Sequence, residues 1–109
     1  MLNQIIFVGR LTKEIEIIEE NGEKVGIISL AVPRSYKNMD GIYETDFLDF
    51  VARGNIGKNV AEYCKKGDIV GIKGRAESTK EHVIVLVAEK VTFLSSKKSE
   101  DREEESEEV

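Results

Sequence analysis

Apolar and polar positions alternate in short runs along residues 2–94, and turn residues separate these runs about every ten positions. β-branched side chains dominate the runs, which is typical of strands and predicts an all-β domain. The alternation extends the first strand into residues 14–17, and Asn21-Gly22 predicts a tight hairpin turn after it. Connections are expected at residues 35–44 and 78–81. The pattern predicts five strands, at residues 3–11, 24–32, 45–53, 68–76 and 82–94.

One segment departs from the strand pattern and has helical spacing. Its apolar residues Ile56, Val60 and Cys64 recur every four positions, which places them on one face of a helix. Asn55 is a preferred capping residue for its start, and Gly67 supplies the left-handed conformation that ends many helices. The predicted order is therefore strand, strand, strand, helix, strand, strand.

This order predicts an OB-fold, a five-stranded Greek-key barrel with one helix between strands three and four. Such barrels bind oligonucleotides across strands two and three and the adjoining loops. Three glycines inside the strand pattern, Gly9, Gly71 and Gly74, suit the bends that a closing barrel requires. An open sandwich is the alternative architecture.

The net charge of -5, from 16 basic and 21 acidic residues, by itself argues against a nucleic-acid partner. The acidity is concentrated in residues 99–109, however, where seven acidic residues and one arginine give a charge of -6. Residues 1–98 therefore carry +1. Because residues 95–108 include no apolar side chain, we predict a folded domain at residues 1–94 and a disordered acidic tail at residues 95–109.

The inventory of reactive side chains does not favour catalysis. The only histidine, His82, is expected on the surface at the start of strand five, and the only cysteine, Cys64, is expected in the core. The sequence has no phosphate-cradling glycine motif and no metal-ligand spacing. It therefore predicts a binding protein that is not an enzyme and that needs no cofactor or metal.

The first residues lack the basic stretch and the long apolar run of a secretory signal. The longest apolar run, residues 83–88, is too short to cross a bilayer. A lone cysteine also cannot form an intrachain disulfide. These features predict a cytoplasmic protein with no membrane partner.

Strand three contains the most informative side chains. Strand alternation places Leu48, Phe50 and Ala52 on one face, which is uniformly apolar and should line the core. Phe47 then lies on the outer face, where an aromatic ring lacks a packing role unless something stacks on it. A nucleic-acid base is one candidate, and a neighbouring subunit or loop is the other.

A second aromatic candidate, Tyr36, precedes strand three and is flanked by Arg34 and Lys37. An exposed ring with basic neighbours suits single-stranded nucleic acid, because bases stack on the ring while cations hold the phosphates. Further basic residues that could extend this track are Arg10, Arg53, Lys73, Arg75 and Lys80.

Several segments together resemble the bacterial single-stranded DNA-binding proteins, the SSB family. The resemblance covers residues 2–94, and its specificity comes from the order and approximate spacing of the segments. They are LNQIIFVGRLT at residues 2–12, NG at 21–22, SLAV at 29–32, TDF at 45–47, AEYCKKG at 61–67, GR at 74–75 and VTFL at 91–94.

The resemblance implies an OB-fold that wraps single-stranded DNA without sequence preference in replication, recombination or repair, near the nucleoid. It also implies a homo-oligomer, with a tetramer favoured and a dimer as the alternative. Tyr36 and Phe47 match two stacking aromatics of the family, and Arg53 falls where a third aromatic is usual. The resemblance also places five residues at or near positions that contact the DNA strand in relatives: Arg10, Ser29, Lys37, Lys66 and Lys80.

Three departures from the family pattern affect the expected function. The connection between strands four and five is short and has no stacking aromatic, and Asp49 adds a negative charge to the outer face of strand three. The acidic tail ends in Val109 and not in the Ile-Pro-Phe that docks on replication and repair proteins in relatives. The rival hypotheses are a protein-interaction module of a primosome-like complex that binds DNA weakly, and an enzyme such as a nuclease.

Overall fold

The computed structural model describes residues 1–96, so residues 97–109 of the tail predicted at residues 95–109 lie outside this range, while Ser95 is the last residue of a strand. The described chain forms six strands and one helix. Their bounds are β1 Ile5–Leu11, β2 Glu16–Glu20, β3 Glu23–Lys37, β4 Tyr43–Arg53, α1 Asn55–Tyr63, β5 Ile69–Ser78 and β6 Ile84–Ser95. Within these 96 residues no helix is long and apolar enough to span a membrane.

Five of the strands close into a barrel, which confirms the predicted OB-fold. Antiparallel pairing joins β5 to β1, β1 to β3, β3 to β4, and β6 to β5. The ring is completed by a short parallel contact in which Phe50 and Val51 of β4 lie opposite Leu86 and Val87 of β6. The remaining strand, β2, pairs only with β3 and forms a hairpin arm on the barrel.

The barrel interior holds a single apolar core. Phe50 is fully buried, and the ring of Phe7 packs edge-on against it with 5.7 Å between the ring centroids. Leu48 and Ala52 lie on the same face of β4 and also pack in the core, as the alternation in the sequence predicts. Cys64 is buried beneath the helix, and His82 is exposed in the turn before β6. The burial of both residues therefore matches the prediction, although Cys64 follows the last helical residue and His82 precedes the first residue of β6.

Two strand predictions need correction. The extension of the first strand is a separate strand, β2, because the chain turns after Leu11 and re-enters the sheet beside β3. The predicted loop at residues 35–44 shrinks to residues 38–42, because β3 continues to Lys37 and pairs there with Tyr43. Tyr36 therefore lies on a strand and not in a loop.

The helix also begins and ends differently from the prediction. Its N-cap is Gly54, whose φ of 63° favours glycine, and Asn55 is already helical with no capping side chain present. The helix ends at Tyr63, because Cys64 adopts an extended conformation. Gly67 does have a positive φ of 94°, but it belongs to a following turn that hydrogen-bonds to the end of β1.

Candidate nucleic-acid interface

The outer face of β4 presents Tyr43, Thr45 and Phe47 side by side. These residues alternate with Glu44 and Asp46, whose side chains both reach Arg34 on the other face of the strand. The Phe47 side chain is 74% exposed, so the ring has open access to a partner. The exposed position of Phe47 follows from the inward direction of the neighbouring core residues.

A row of paired residues crosses three strands at Phe47. Arg10 of β1 lies opposite Ala31 of β3, and Ala31 lies opposite Phe47 of β4. Gly9 brings the strands close together here, since a β-carbon on it would lie 2.6 Å from the carbonyl oxygen of Ala31. The small central residue leaves a shallow groove of about 330 Å³ lined by Val8, Gly9, Arg10, Ala31, Pro33, Thr45 and Ile69.

Arg10 and Lys66 line a neighbouring groove of about 640 Å³ beside this row. The turn that carries Lys66 is fixed to β1, because the Gly67 N–H donates to the Leu11 carbonyl at 2.9 Å. The Arg10 guanidinium in turn donates to the Gly67 carbonyl at 2.7 Å. The Arg10 guanidinium is therefore held at this groove, and the turn that carries Lys66 is fixed beside it.

The hairpin between β3 and β4 carries the second predicted aromatic. Tyr36 is exposed near the end of β3, and the Lys37 ammonium lies 5.6 Å from the ring centroid of Tyr43. Asn38 stabilises the loop, since its Oδ1 accepts hydrogen bonds from the backbone N–H groups of Asp40 and Ile42. Tyr36, Lys37 and Phe47 thus lie on the same pair of strands.

Arg34 is held by acidic side chains. Its guanidinium donates to Asp46 at 2.9 and 3.2 Å and to Glu44 at 2.6 Å. The hydrogen bond to Asp46 raises the pKa of Arg34, and the same bond lowers the pKa of Asp46. Two carboxylates therefore offset the positive charge of this arginine within the domain.

Arg53 and Arg75 share an acidic partner. Glu77 contacts Arg75 directly and lies 3.6 Å from Arg53, and Glu89 lies 3.0 Å from Arg75. Hydrogen bonding to Glu77 raises the pKa of Arg75, while the bond from Arg75 lowers the pKa of Glu77. Three of the arginines in the predicted basic track are therefore paired with carboxylates.

The remaining predicted residues are spread around the barrel. Ser29 is buried, and its hydroxyl donates to Asp49 Oδ1 at 2.7 Å. Lys73 lies on β5 opposite Ile6, about 13 Å along β1 from Arg10 at the usual rise per residue. Lys80 is exposed in the short connection before β6. The structure thus brings Arg10, Lys66 and Phe47 together, while Lys73 and Lys80 lie farther away along the surface.

Sequence reasoning missed Tyr43. The sequence placed it in a loop, although it lies two and four residues before Thr45 and Phe47 and so has the strand period. Extending the third strand by two residues would have shown the shared face.

Across residues 1–96 no group of three His, Cys, Asp or Glu side chains could hold a metal ion. Burial raises the pKa of the Cys64 thiol, which suits packing better than reactivity.

Solved and curated proteins provide an independent comparison. The fold is similar to a crystal structure of a deletion mutant of the single-stranded DNA-binding protein from Thermus aquaticus, with a TM-score of 0.70 at 18% identity. That alignment covers 90% of this chain and 53% of the other. At this identity the likeness supports the fold alone.

Relatives found by sequence have a higher identity to this chain than that solved structure has. The chain is 37% identical to single-stranded DNA-binding protein 3 of Listeria innocua, over 91% of this chain and 68% of the relative. It is 35% identical to single-stranded DNA-binding protein B of Bacillus subtilis, over 92% of this chain and 96% of the relative. Residues 2–94 also match the single-strand binding protein family. The chain therefore belongs to the single-strand binding protein family.

Proposed function

We propose that this protein binds single-stranded DNA without sequence preference and without catalysing a reaction, and that it protects the strand during replication, recombination or repair. The exposed row of Arg10, Ala31 and Phe47 carries this proposal. A base stacks on Phe47, the groove over Ala31 accommodates the sugar and base edges, and Arg10 and Lys66 hold phosphates. The names of the relatives and the family support the same function.

Fluorescence anisotropy of a labelled oligo(dT) tests the proposal, with a duplex of the same length as the comparison. We expect the single strand to bind at low salt more tightly than the duplex, because duplex bases are stacked on one another and cannot reach Phe47. Equal affinity for the two, or no binding to either, would contradict the proposed function.

We propose further that the protein assembles as a homo-oligomer, with a tetramer favoured. The outer face of β1 before the groove supports this, because Ile6 is exposed while Ile5 and Phe7 pack against the core. Leu94 is also half-exposed and lies beside Val8 across Gly71. Exposed apolar strips of this kind mark protein contacts. Light scattering on the protein and on Ile6→Glu gives the subunit number, and a monomeric wild type would refute the assembly.

A second candidate function is a protein-interaction module, with partners that include replication or repair proteins bound through the acidic tail. The pairing of Arg34, Arg53 and Arg75 with carboxylates favours it, because it removes cations that would otherwise hold phosphates. A Kd for oligo(dT) weaker than about 1 µM, together with retention of a replication partner, would favour this candidate over DNA binding.

A further inference from the structure

We propose that Tyr43 is an additional base-stacking platform, which with Phe47 forms a two-ring track along the outer face of β4. The inference rests on the proposed DNA-binding function and extends it to a residue outside the predicted site. Tyr43 is 56% exposed, and its strand is regular from Tyr43 to Arg53. Both rings therefore point to the same side of the sheet.

The hairpin register supports the direction of the Tyr43 ring. Between the pairs Pro33–Thr45 and Lys37–Tyr43, β3 advances by four residues and β4 by two, so the irregularity lies in β3. β4 keeps its alternation through this region. Glu44 confirms this independently, because its carboxylate reaches Arg34 on the opposite face of β4.

The distance between the rings suits a nucleic-acid strand. Four residues at about 3.4 Å each separate Tyr43 from Phe47 by about 13 Å along β4. Bases in a stacked strand repeat about every 3.4 Å, so the two rings hold bases that are separated by intervening nucleotides. Thr45 lies between the rings and lines the apolar groove at that point, which leaves room for the connecting nucleotides.

The Lys37 ammonium completes the platform. It lies 5.6 Å from the Tyr43 ring centroid, on the residue directly opposite in the strand pair. A cation at this distance is attracted to the ring and also lies within reach of the phosphate that accompanies a stacked base. The short β5–β6 connection carries no Phe, Tyr or Trp, and Tyr43 supplies a ring on a different part of the barrel.

Tyrosine emission gives a direct test, because the chain has three tyrosines and no tryptophan. The variant Tyr36→Phe/Tyr63→Phe retains Tyr43 as the single tyrosine, and Tyr36→Phe/Tyr43→Phe retains Tyr63. Tyr63 is a matched control, since it is 71% exposed but lies on the helix. We expect saturating oligo(dT) to quench the emission of Tyr43 and to leave that of Tyr63 unchanged.

Affinity measurements complete the experiment. Tyr43→Ala should weaken oligo(dT) binding about five- to a hundredfold, because one stacked base loses its partner. Tyr43→Phe keeps the ring, and Tyr63→Ala lies outside the track, so both variants should bind within about twofold of the wild type. The loss should vanish for oligomers too short to span both rings. Unquenched Tyr43 emission, or unchanged affinity of Tyr43→Ala for long oligomers, overturns the inference while the DNA-binding function stands. Absence of wild-type binding overturns both.

Discussion

At the scale of single residues, Phe47 provides an exposed aromatic surface at the end of the row that it forms with Arg10 and Ala31. We expect Phe47→Ala to weaken binding to oligo(dT) by about 1 to 3 kcal/mol, because one stacked base loses its partner. The side chain is largely exposed, so the free energy of unfolding should hardly change. Anisotropy titration measures the first quantity and urea denaturation the second. Phe47→Tyr keeps a ring and serves as the control; equal affinity of Phe47→Ala and the wild type would favour a subunit contact for this residue.

Glu77 forms ion pairs with Arg53 and Arg75, so removing its charge should increase the positive charge available to DNA. We expect Glu77→Gln to tighten oligo(dT) binding about two- to fivefold at low salt, consistent with surface ion pairs worth about 0 to 1 kcal/mol. If one further phosphate is bound, the slope of log K against log salt becomes more negative by about 0.7.

The matched control for this change is Glu62→Gln on the exposed side of the helix, which alters the net charge equally. A general charge effect would make the two variants alike. Identical affinities and slopes for Glu77→Gln and Glu62→Gln would therefore show that Arg53 and Arg75 do not reach phosphates when released.

The position of Phe47 was predictable from the sequence, but the pairing of the arginines was not. Alternation with the inward-facing Leu48 and Phe50 is a local property, so the outer face of this strand follows from adjacent residues. The partner of Arg75 on β6 is Glu89, fourteen residues away, and the barrel register decides that contact. Residue types alone do not show which carboxylates neutralise a basic track.

At the scale of elements, the helix depends on a close contact with β3. A β-carbon on Gly57 would lie 2.5 Å from the Ala52 carbonyl oxygen and 2.8 Å from the Gly26 backbone nitrogen. Both neighbours are backbone atoms, so neither can move aside without shifting a strand. The glycine pair Gly26–Gly57 therefore sets how closely the helix approaches the barrel.

We expect Gly57→Ala to lower the free energy of unfolding by about 1 to 3 kcal/mol through overpacking. This net loss already includes the opposing gain in helix propensity, about 1 kcal/mol, that alanine gives over glycine. Urea denaturation measures the change, and Lys58→Ala at an exposed helical position is the control. A Gly57→Ala variant as stable as the wild type would show that the helix can move away from β3 at little cost.

Strand identity was easier to predict than strand length. The polar residues Ser35 and Asn38 favour a loop by composition, yet β3 continues to Lys37 because cross-strand pairing with Tyr43 satisfies its backbone. Because this pairing was not predicted, the sequence placed Tyr43 in a loop. The N-cap of the helix is Gly54 and not the predicted Asn55, because the backbone needs a positive φ where the chain leaves β4.

At the scale of the whole molecule, the order of strands and helix predicted the closed barrel. It did not predict that β2 forms a separate arm. Closure depends on the parallel contact at Phe50 and Val51, between strands far apart in sequence. A Greek-key order with one helix after the third barrel strand has few other compact solutions. The arm has no such constraint, because its burial pattern is exposed throughout and it pairs with one neighbour only.

Charge separation along the chain leads to the last prediction. The barrel segment is close to neutral, three of its arginines are paired, and residues 99–109 carry -6. Acidic residues tethered to a domain have a high effective concentration near it, so we expect residues 99–109 to compete with phosphates for Arg10 and Lys66. Deleting residues 99–109 should therefore strengthen oligo(dT) binding at low salt.

Salt separates competition by the tail from other effects of the deletion. Screening weakens interactions between exposed charges, so the gain in affinity should shrink as the ionic strength approaches 1 M, where the Debye length is about 3 Å. A variant in which neutral Gln and Asn replace the seven acidic residues keeps the length and should bind like the deletion. If the deletion and the neutral variant both bind oligo(dT) with wild-type affinity at low salt, the acidic residues do not compete for the groove, and stacking on Phe47 accounts for a larger share of binding.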